Sequence, residues 1–139
     1  MSAEEEVRRA SKQFYTALNR MANGDASLMA NAWSHGQEVT VMHPIDGREI
    51  GWEAVKASFE QFAQVATDGK IELKDQIVHL TGDVAYELGV EQGEGKVGGH
   101  SVAFRHRVTN IYRRESGEWR MIHHHSDTSP AMLDVLAKL

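Results

Sequence analysis

The sequence predicts an α+β fold, a curved antiparallel sheet with helices packed on one face. Three observations predict it. Apolar residues recur at steps of three and four in the first half of the chain, and at steps of two from residue 70 onward. The elements read from those periods run helix, helix, strand, helix, then four strands. The helices carry apolar stripes, and a sheet with all of them on one face buries every stripe. The chain has 139 residues, enough for one core without staples, so a single domain over 1–139 is expected.

The first helix is expected over about residues 4–22. Val7, Ala10, Phe14, Leu18 and Met21 form one face, and Glu4, Glu5 and Glu6 suit its positive end. Asn23-Gly24 stops it, because glycine accepts the left-handed cap conformation. Asp25 can cap a second helix, "ASLMANAW". "EVTVMHP" reads as a strand with Val39, Val41 and His43 on one face, closed by Pro44, which cannot donate to a ladder. "IDGREIG" reads as a turn. "WEAVKASFEQFAQVA" is the third helix, with Trp52, Val55, Phe59, Phe62 and Ala66 on one side and Asp68-Gly69 as its end. Strands are expected near 70–80, 84–92, 100–114 and 118–126, with "GEGKVGG" (93–99) as a flexible hairpin loop. Ser129 and Pro130 open a last short helix as cap and first residue, with Met132, Leu133, Leu136 and Leu139 apolar.

Composition removes several classes of function. There is no cysteine, so disulfides, thiolate catalysis and cysteine-ligated zinc are excluded. The net charge of −5 gives no basic footprint, and no nucleic-acid partner is expected. Arg105, Arg107, Arg113 and Arg114 read as solvated charge on a face or rim. No apolar run approaches the roughly 20 residues that span a bilayer. The first ten residues lack an apolar signal region, so no membrane partner and a cytoplasmic location are expected.

"RMIHHHSD" (120–127) concentrates the chemistry. Read as a type I turn with a bulge, "RESG" makes Arg114 oppose Glu118. The pairs then run Ile111 with Met121, Thr109 with His123, and Arg107 with His125. Cross-strand partners share a face. Arg107, Thr109, His123 and His125 should therefore lie with Met121 and Trp119 on the helix side. His124 should lie on the other side with Val108, Tyr112 and Ile122, whose apolar character suggests a second copy of the chain packed there. Adjacent strand residues cannot all reach one ion, which sets a metal aside; no metal or other cofactor is expected.

With these residues in view, "FYTALNRMANGD", "VTVMHPIDG" and "RVTNIYRRESGEWRMIHHHS" resemble the nuclear transport factor 2-like (NTF2-like) superfamily, and within it the SnoaL-like group. The last segment is also similar to the association domain of calcium/calmodulin-dependent protein kinase II. The resemblance covers about residues 7–127. It implies a cone-like, cystatin-like fold in which a bent sheet wraps a long amino-terminal helix and leaves a cavity, with dimerisation through the outer sheet face. It does not select an activity, because the superfamily includes isomerases, dehydratases, cyclases and non-catalytic modules. Set against ketosteroid isomerase, the positions of its tyrosine and two aspartates fall on Ala17, His43 and Thr109, so that chemistry is not carried over. The aspartate of SnoaL-type cyclases falls nearest His125, with Asp127 two residues on.

His43, His125 and Tyr15 are accordingly the candidate catalytic residues: His43 as a base titrating near neutrality, the other two as donors. Arg107, Thr109, His123, Trp33 and Phe59 are the candidate ligand contacts, Arg107 offering its fork to a carboxylate. The plainer reading of His43 is a bond to a backbone carbonyl, and that of Tyr15, Trp33 and Phe59 is core. The expected function is binding of a small, partly apolar molecule in a cavity between sheet and helices, with lyase or isomerase chemistry. The alternative is a non-catalytic ligand-binding or dimerisation module. A homodimer through Val108, Tyr112 and Ile122 is expected.

Overall fold

The computed structural model describes residues 1–139. Helix α1 (Ala3–Met21) opens with a capping box: the Ser2 side chain accepts from the Glu5 N–H, and the Glu5 carboxylate accepts from the Ser2 N–H. Its buried face is the predicted stripe, widened by Ser11, Tyr15 and Ala17. The second helix is a single turn, α2 (Met29–Ala32), shorter than "ASLMANAW" suggests. Asp25 does not cap it. Its carboxylate accepts from the Ser27 N–H and pairs with Arg20, closing a turn ahead of the helix.

Val41 in strand β1 (Thr40–Met42) and Val39 just before it are buried as predicted. The stretch read as a turn also holds a short strand, β2 (Glu49–Ile50), antiparallel to β1. Helix α3 (Trp52–Ala63) buries Trp52, Val55, Phe59 and Ala63 and stops before the predicted Asp68-Gly69. Strand β3 (Ala66–Thr81) already includes those two residues; the register slips between Thr67 and Lys70, with Asp68 at φ 54°.

Strands β4 (Val84–Val97), β5 (His100–Glu115) and β6 (Glu118–Ser126) complete a six-stranded sheet of order β2-β1-β6-β5-β4-β3. All neighbours are antiparallel except β1 and β6, which run parallel. The expected flexible loop 93–99 is mostly strand, and the turn is only Gly98-Gly99. Glycines inside β4 mark close packing: a Cβ on Gly93 would lie 2.7 Å from both the Phe104 ring and the Lys70 carbonyl oxygen. Helix α4 (Pro130–Leu136), capped by Ser129, packs on β5 through a separate small cluster of Val97, Val102, Met132 and Val135. No helix is long and apolar enough to cross a membrane.

The closing hairpin departs from its predicted register twice. Its turn is two residues, Ser116-Gly117, both at positive φ (50° and 82°), the combination that suits the right-handed twist of the strands. Glu115 therefore opposes Glu118, Arg114 opposes Trp119 and Tyr112 opposes Met121. A β-bulge then absorbs Ile122, so Ile111 meets His123, Asn110 meets His124 and Thr109 meets His125. A slip of one residue exchanges the faces of a strand. Val108 and Tyr112, expected on the outer face, are buried on the helix side, and Ile122 packs partly against the main core.

The core lies between α1, α3 and the concave sheet face, with Phe14, Trp33, Phe59, Tyr112 and Met121 at its centre. Met121 is fully buried, so Met121→Ala should cost about 2–5 kcal/mol, read as a lower urea midpoint with an unchanged slope.

Candidate functional site

A cavity of about 300 Å³ opens between the far end of α1, helix α3, the glycine-bearing ends of β3 and β4, and helix α4. Its walls are apolar, from Leu18, Phe59, Phe62, Ile71, Phe104 and Met132 among others. Gly69 and Gly95 let the backbones pack closely at this end: a Cβ on Gly69 would run into Ala22 at the end of α1, and one on Gly95 would lie 3.0 Å from the Gly69 Cα. Four polar residues set the chemistry of its floor: His43 at the end of β1, Glu91 on β4, His106 on β5 and His124 on β6.

Behind this floor runs a hydrogen-bond network between two buried carboxylates. Glu87 accepts from Gln76 Nε2 at 2.6 Å, Tyr112 Oη at 2.8 Å and Asn110 Nδ2 at 2.9 Å. Glu91 accepts from Tyr15 Oη at 2.8 Å and from His106 Nε2 at 2.8 Å. Asn110 joins the two halves, its Nδ2 also donating to Tyr15 Oη at 3.1 Å. These contacts settle proton positions. A carboxylate only accepts, so the amide nitrogen of Asn110 must face Glu87, and its oxygen must face His124. His124 Nδ1 lies 2.6 Å from that oxygen and is therefore the N–H. Its Nε2 sits 3.3 Å from Ser126 Oγ and 3.9 Å from Glu91 Oε2. Similarly, the Ser58 hydroxyl donates to the Val55 carbonyl at 2.6 Å, so His43 Nε2, 2.9 Å from Ser58 Oγ, must carry the proton. The lone pair of neutral His43 is then on Nδ1.

The electrostatics follow burial. His43, held edge-on against Phe59, is pushed down to about 4 by desolvation, with the His124 charge adding to the effect. His124 is lowered by burial, partly opposed by Glu91. Burial alone would raise Glu91, but the His106 bond, the neighbouring His124 and the Tyr15 hydroxyl outweigh it and keep the carboxylate ionised. Burial also raises Tyr15, as does the nearby Glu91 charge, so it remains a phenol. Two buried nitrogens have no partner, Trp33 Nε1 and His106 Nδ1; the His106 ring stacks on Phe104.

Of the predicted site residues, His43 and Phe59 line the cavity. His43 is not poised near neutrality as expected, because its burial disfavours the charged form. Tyr15 lies behind the floor, its proton committed to Glu91, and Trp33 is sealed in the core between Phe14 and Phe59. The others lie on the opposite face, Arg107 and Thr109 because of the two-residue turn and His123 and His125 because of the bulge. His125 is exposed and pairs across from Thr109, and His123 bonds Thr40 Oγ1 at 2.6 Å. Arg107 is 84% exposed at its side chain and its fork holds Asp127, so it recognises no ligand carboxylate inside. His124, set aside because it alternates with its neighbours, is the triplet member that faces the cavity. Glu91 and His106 were missed too. The usable signal was a pair of acids, Glu87 and Glu91, spaced four apart on a strand: both fall on one face, and two buried acids demand donors.

The profile of the SnoaL-like domain family matches residues 7–132. No curated protein matches the chain in sequence. Several solved structures share its fold. One is described as a candidate dehydratase of the NTF2-like family from Streptomyces avermitilis, 23% identical over 91% of this chain and 96% of that one, with a TM-score of 0.78. Another is a candidate calcium/calmodulin-dependent protein kinase type II association domain from Thiobacillus denitrificans, 24% identical over 86% and 92%, TM-score 0.72. An NTF2-like superfamily protein from Salmonella enterica is 15% identical over 89% of each chain, TM-score 0.80. At these identities the likeness is one of fold, that of the NTF2-like superfamily.

Acid should weaken the fold through this site. Unfolded histidine titrates near 6.5 and His43 near 4, so between those values the unfolded chain binds more protons and stability falls as pH drops. The loss should total about 2–3 kcal/mol by pH 4. Glu91 extends the trend: its stabilisation is present above its unperturbed value of 4.5 and disappears as pH falls through its depressed pKa. Urea midpoints measured from pH 7 to 4 should show this slope, and His43→Gln should flatten it.

Proposed function

Because the chain belongs to the SnoaL-like domain family, we propose that it binds a small, partly apolar molecule in the cavity between sheet and helices and moves a proton on it, as a lyase or isomerase working without a cofactor. One observation carries the reading. His124 has one nitrogen tied to Asn110 and the other 3.3 Å from Ser126 Oγ and 3.9 Å from a buried carboxylate, at the floor of a largely apolar hollow. A neutral imidazole held in this way is a general base whose charged form Glu91 stabilises as it appears. His124 Nε2 takes a proton from an O–H or activated C–H of the ligand. The proton then returns to another carbon, an isomerisation, or leaves with a departing hydroxyl as water, an elimination. His43 is the second imidazole against the ligand. Tyr15 and His106 act as positioning residues, since both hold Glu91 in place. The dehydratase description of the Streptomyces avermitilis relative is in keeping with the elimination.

A second reading, a dimerisation module, is favoured by the outer sheet face. Tyr86, Leu88 and Ile77 are 42%, 39% and 50% exposed there, a cluster unusual for a solvated sheet. The register brings Ile111 beside Tyr86 and Thr109 beside Leu88. A homodimer through this face uses these residues in place of the inward Val108 and Tyr112.

Incubation in D₂O with enolisable cyclic ketones and β-hydroxy ketones, followed by NMR, tests the first reading. Deuterium uptake or loss of water should be catalysed, and His124→Gln should slow it about 10²-fold or more while the ligand still binds. Binding without turnover across the set would leave the non-catalytic module. For the dimer, Leu88→Glu should halve the mass seen by light scattering with the melting temperature kept, whereas Tyr112→Glu should unfold the chain by placing a second carboxylate beside Glu87.

A further inference from the structure

The polar groups of the cavity floor are of one kind. Every donor of the histidines and of the residues bonded to them is committed to a protein acceptor; the other uncharged lining donors, Gln61 and Thr67, are exposed residues away from that cluster. His43 Nε2–H goes to Ser58, whose own hydroxyl goes to Val55. His124 Nδ1–H goes to Asn110, and His106 Nε2–H goes to Glu91, as does the Tyr15 hydroxyl behind it. Asn110 gives its amide protons to Glu87 and Tyr15, and Ser126 turns its hydroxyl to Glu91 or His124. What remains toward a ligand is a set of acceptors: the Nδ1 lone pair of His43, the unpartnered Nδ1 of His106, Nε2 of His124 and the free lone pairs of Glu91.

The charges around the cavity agree. Its charged lining residues are Asp46, Glu49, Glu91 and Glu94 against one cation, Lys96, which is paired with Asp68 at 3.8 Å. The arginine expected to receive an anion, Arg107, is on the far side of the sheet and bound to Asp127. A buried anion facing acceptors and carboxylates gains no hydrogen bond and meets like charge, while a donor gains two or three bonds that water otherwise makes.

We infer that the ligand of this cavity is an uncharged or cationic molecule whose polar end is a hydrogen-bond donor, an alcohol, phenol or amine, on a compact apolar body, and that carboxylates and phosphates are refused. This rests on the cavity being the binding site. It also narrows the proton moved to one that starts on, or next to, such a donor.

Five probes with one apolar body separate the claims: 2-naphthylmethanol, 2-naphthylmethylamine, 2-methoxynaphthalene, 2-naphthoate and naphthalene, titrated by calorimetry at pH 7. The alcohol and the amine should bind at least tenfold more tightly than the ether, and the carboxylate most weakly of the five. His43→Phe, which removes one acceptor and leaves the Glu91 network untouched, should reduce the preference for alcohol over ether several-fold; His124→Phe should reduce it further. Ether equal to alcohol, or carboxylate as tight as alcohol, overturns the donor rule while leaving the cavity as a binding site. No binding by any probe, naphthalene included, overturns both.

Discussion

Two carboxylates inside the molecule govern much of its architecture. Glu87 and Glu91 sit on the concave face of β4, both buried, and an ionised acid in that position costs several kcal/mol unless donors surround it. The donors come from every side: Gln76 from β3, Asn110, Tyr112 and His106 from β5, Tyr15 from α1. Each bond is modest alone, but removing one partner leaves a buried polar group unpaired. The network therefore specifies the register of β3, β4 and β5 and the rotation of α1 over them more sharply than apolar packing, which tolerates volume-conserving exchange.

Polarity in this sheet is partly turned inside out. Along β4, Tyr86, Leu88 and Val90 alternate with Ala85, Glu87, Gly89 and Glu91, and by hydrophobicity the first set belongs inside. The second set is inside. The arrangement holds because the polar residues satisfy one another, and it leaves apolar side chains on the convex face. One inversion thus accounts for both a chemically equipped hollow and a surface suited to a second protein layer.

The hollow lies toward the far end of the sheet, where the glycines of β3 and β4 let neighbouring backbone and side chains approach closely. Helix α4 closes that end with its own small apolar cluster. The central core around Phe14, Trp33 and Met121 carries the packing, while this end is free to be shaped for a ligand.

The sequence by itself determined the fold class, the order of elements apart from the short β2, the buried stripe of α1 and most of that of α3, the inward face of β1 with His43, and the cap of α4. These depend on local periodicity and on side chains bonding their own backbone neighbours, so nearby residues suffice to define them. It did not determine which histidine of the triplet meets the cavity. That choice turned on one bulged residue, Ile122, just as the two-residue turn at Ser116-Gly117 decided the faces of β5, and each slip in a strand reverses every side chain beyond it. Nor did it show that Glu87 and Glu91 are interior, because their donors lie between 11 and 76 residues away in the chain. Only the folded sheet brings those partners together, so only the tertiary structure could make burial of the acids, and with it the character of the site, affordable.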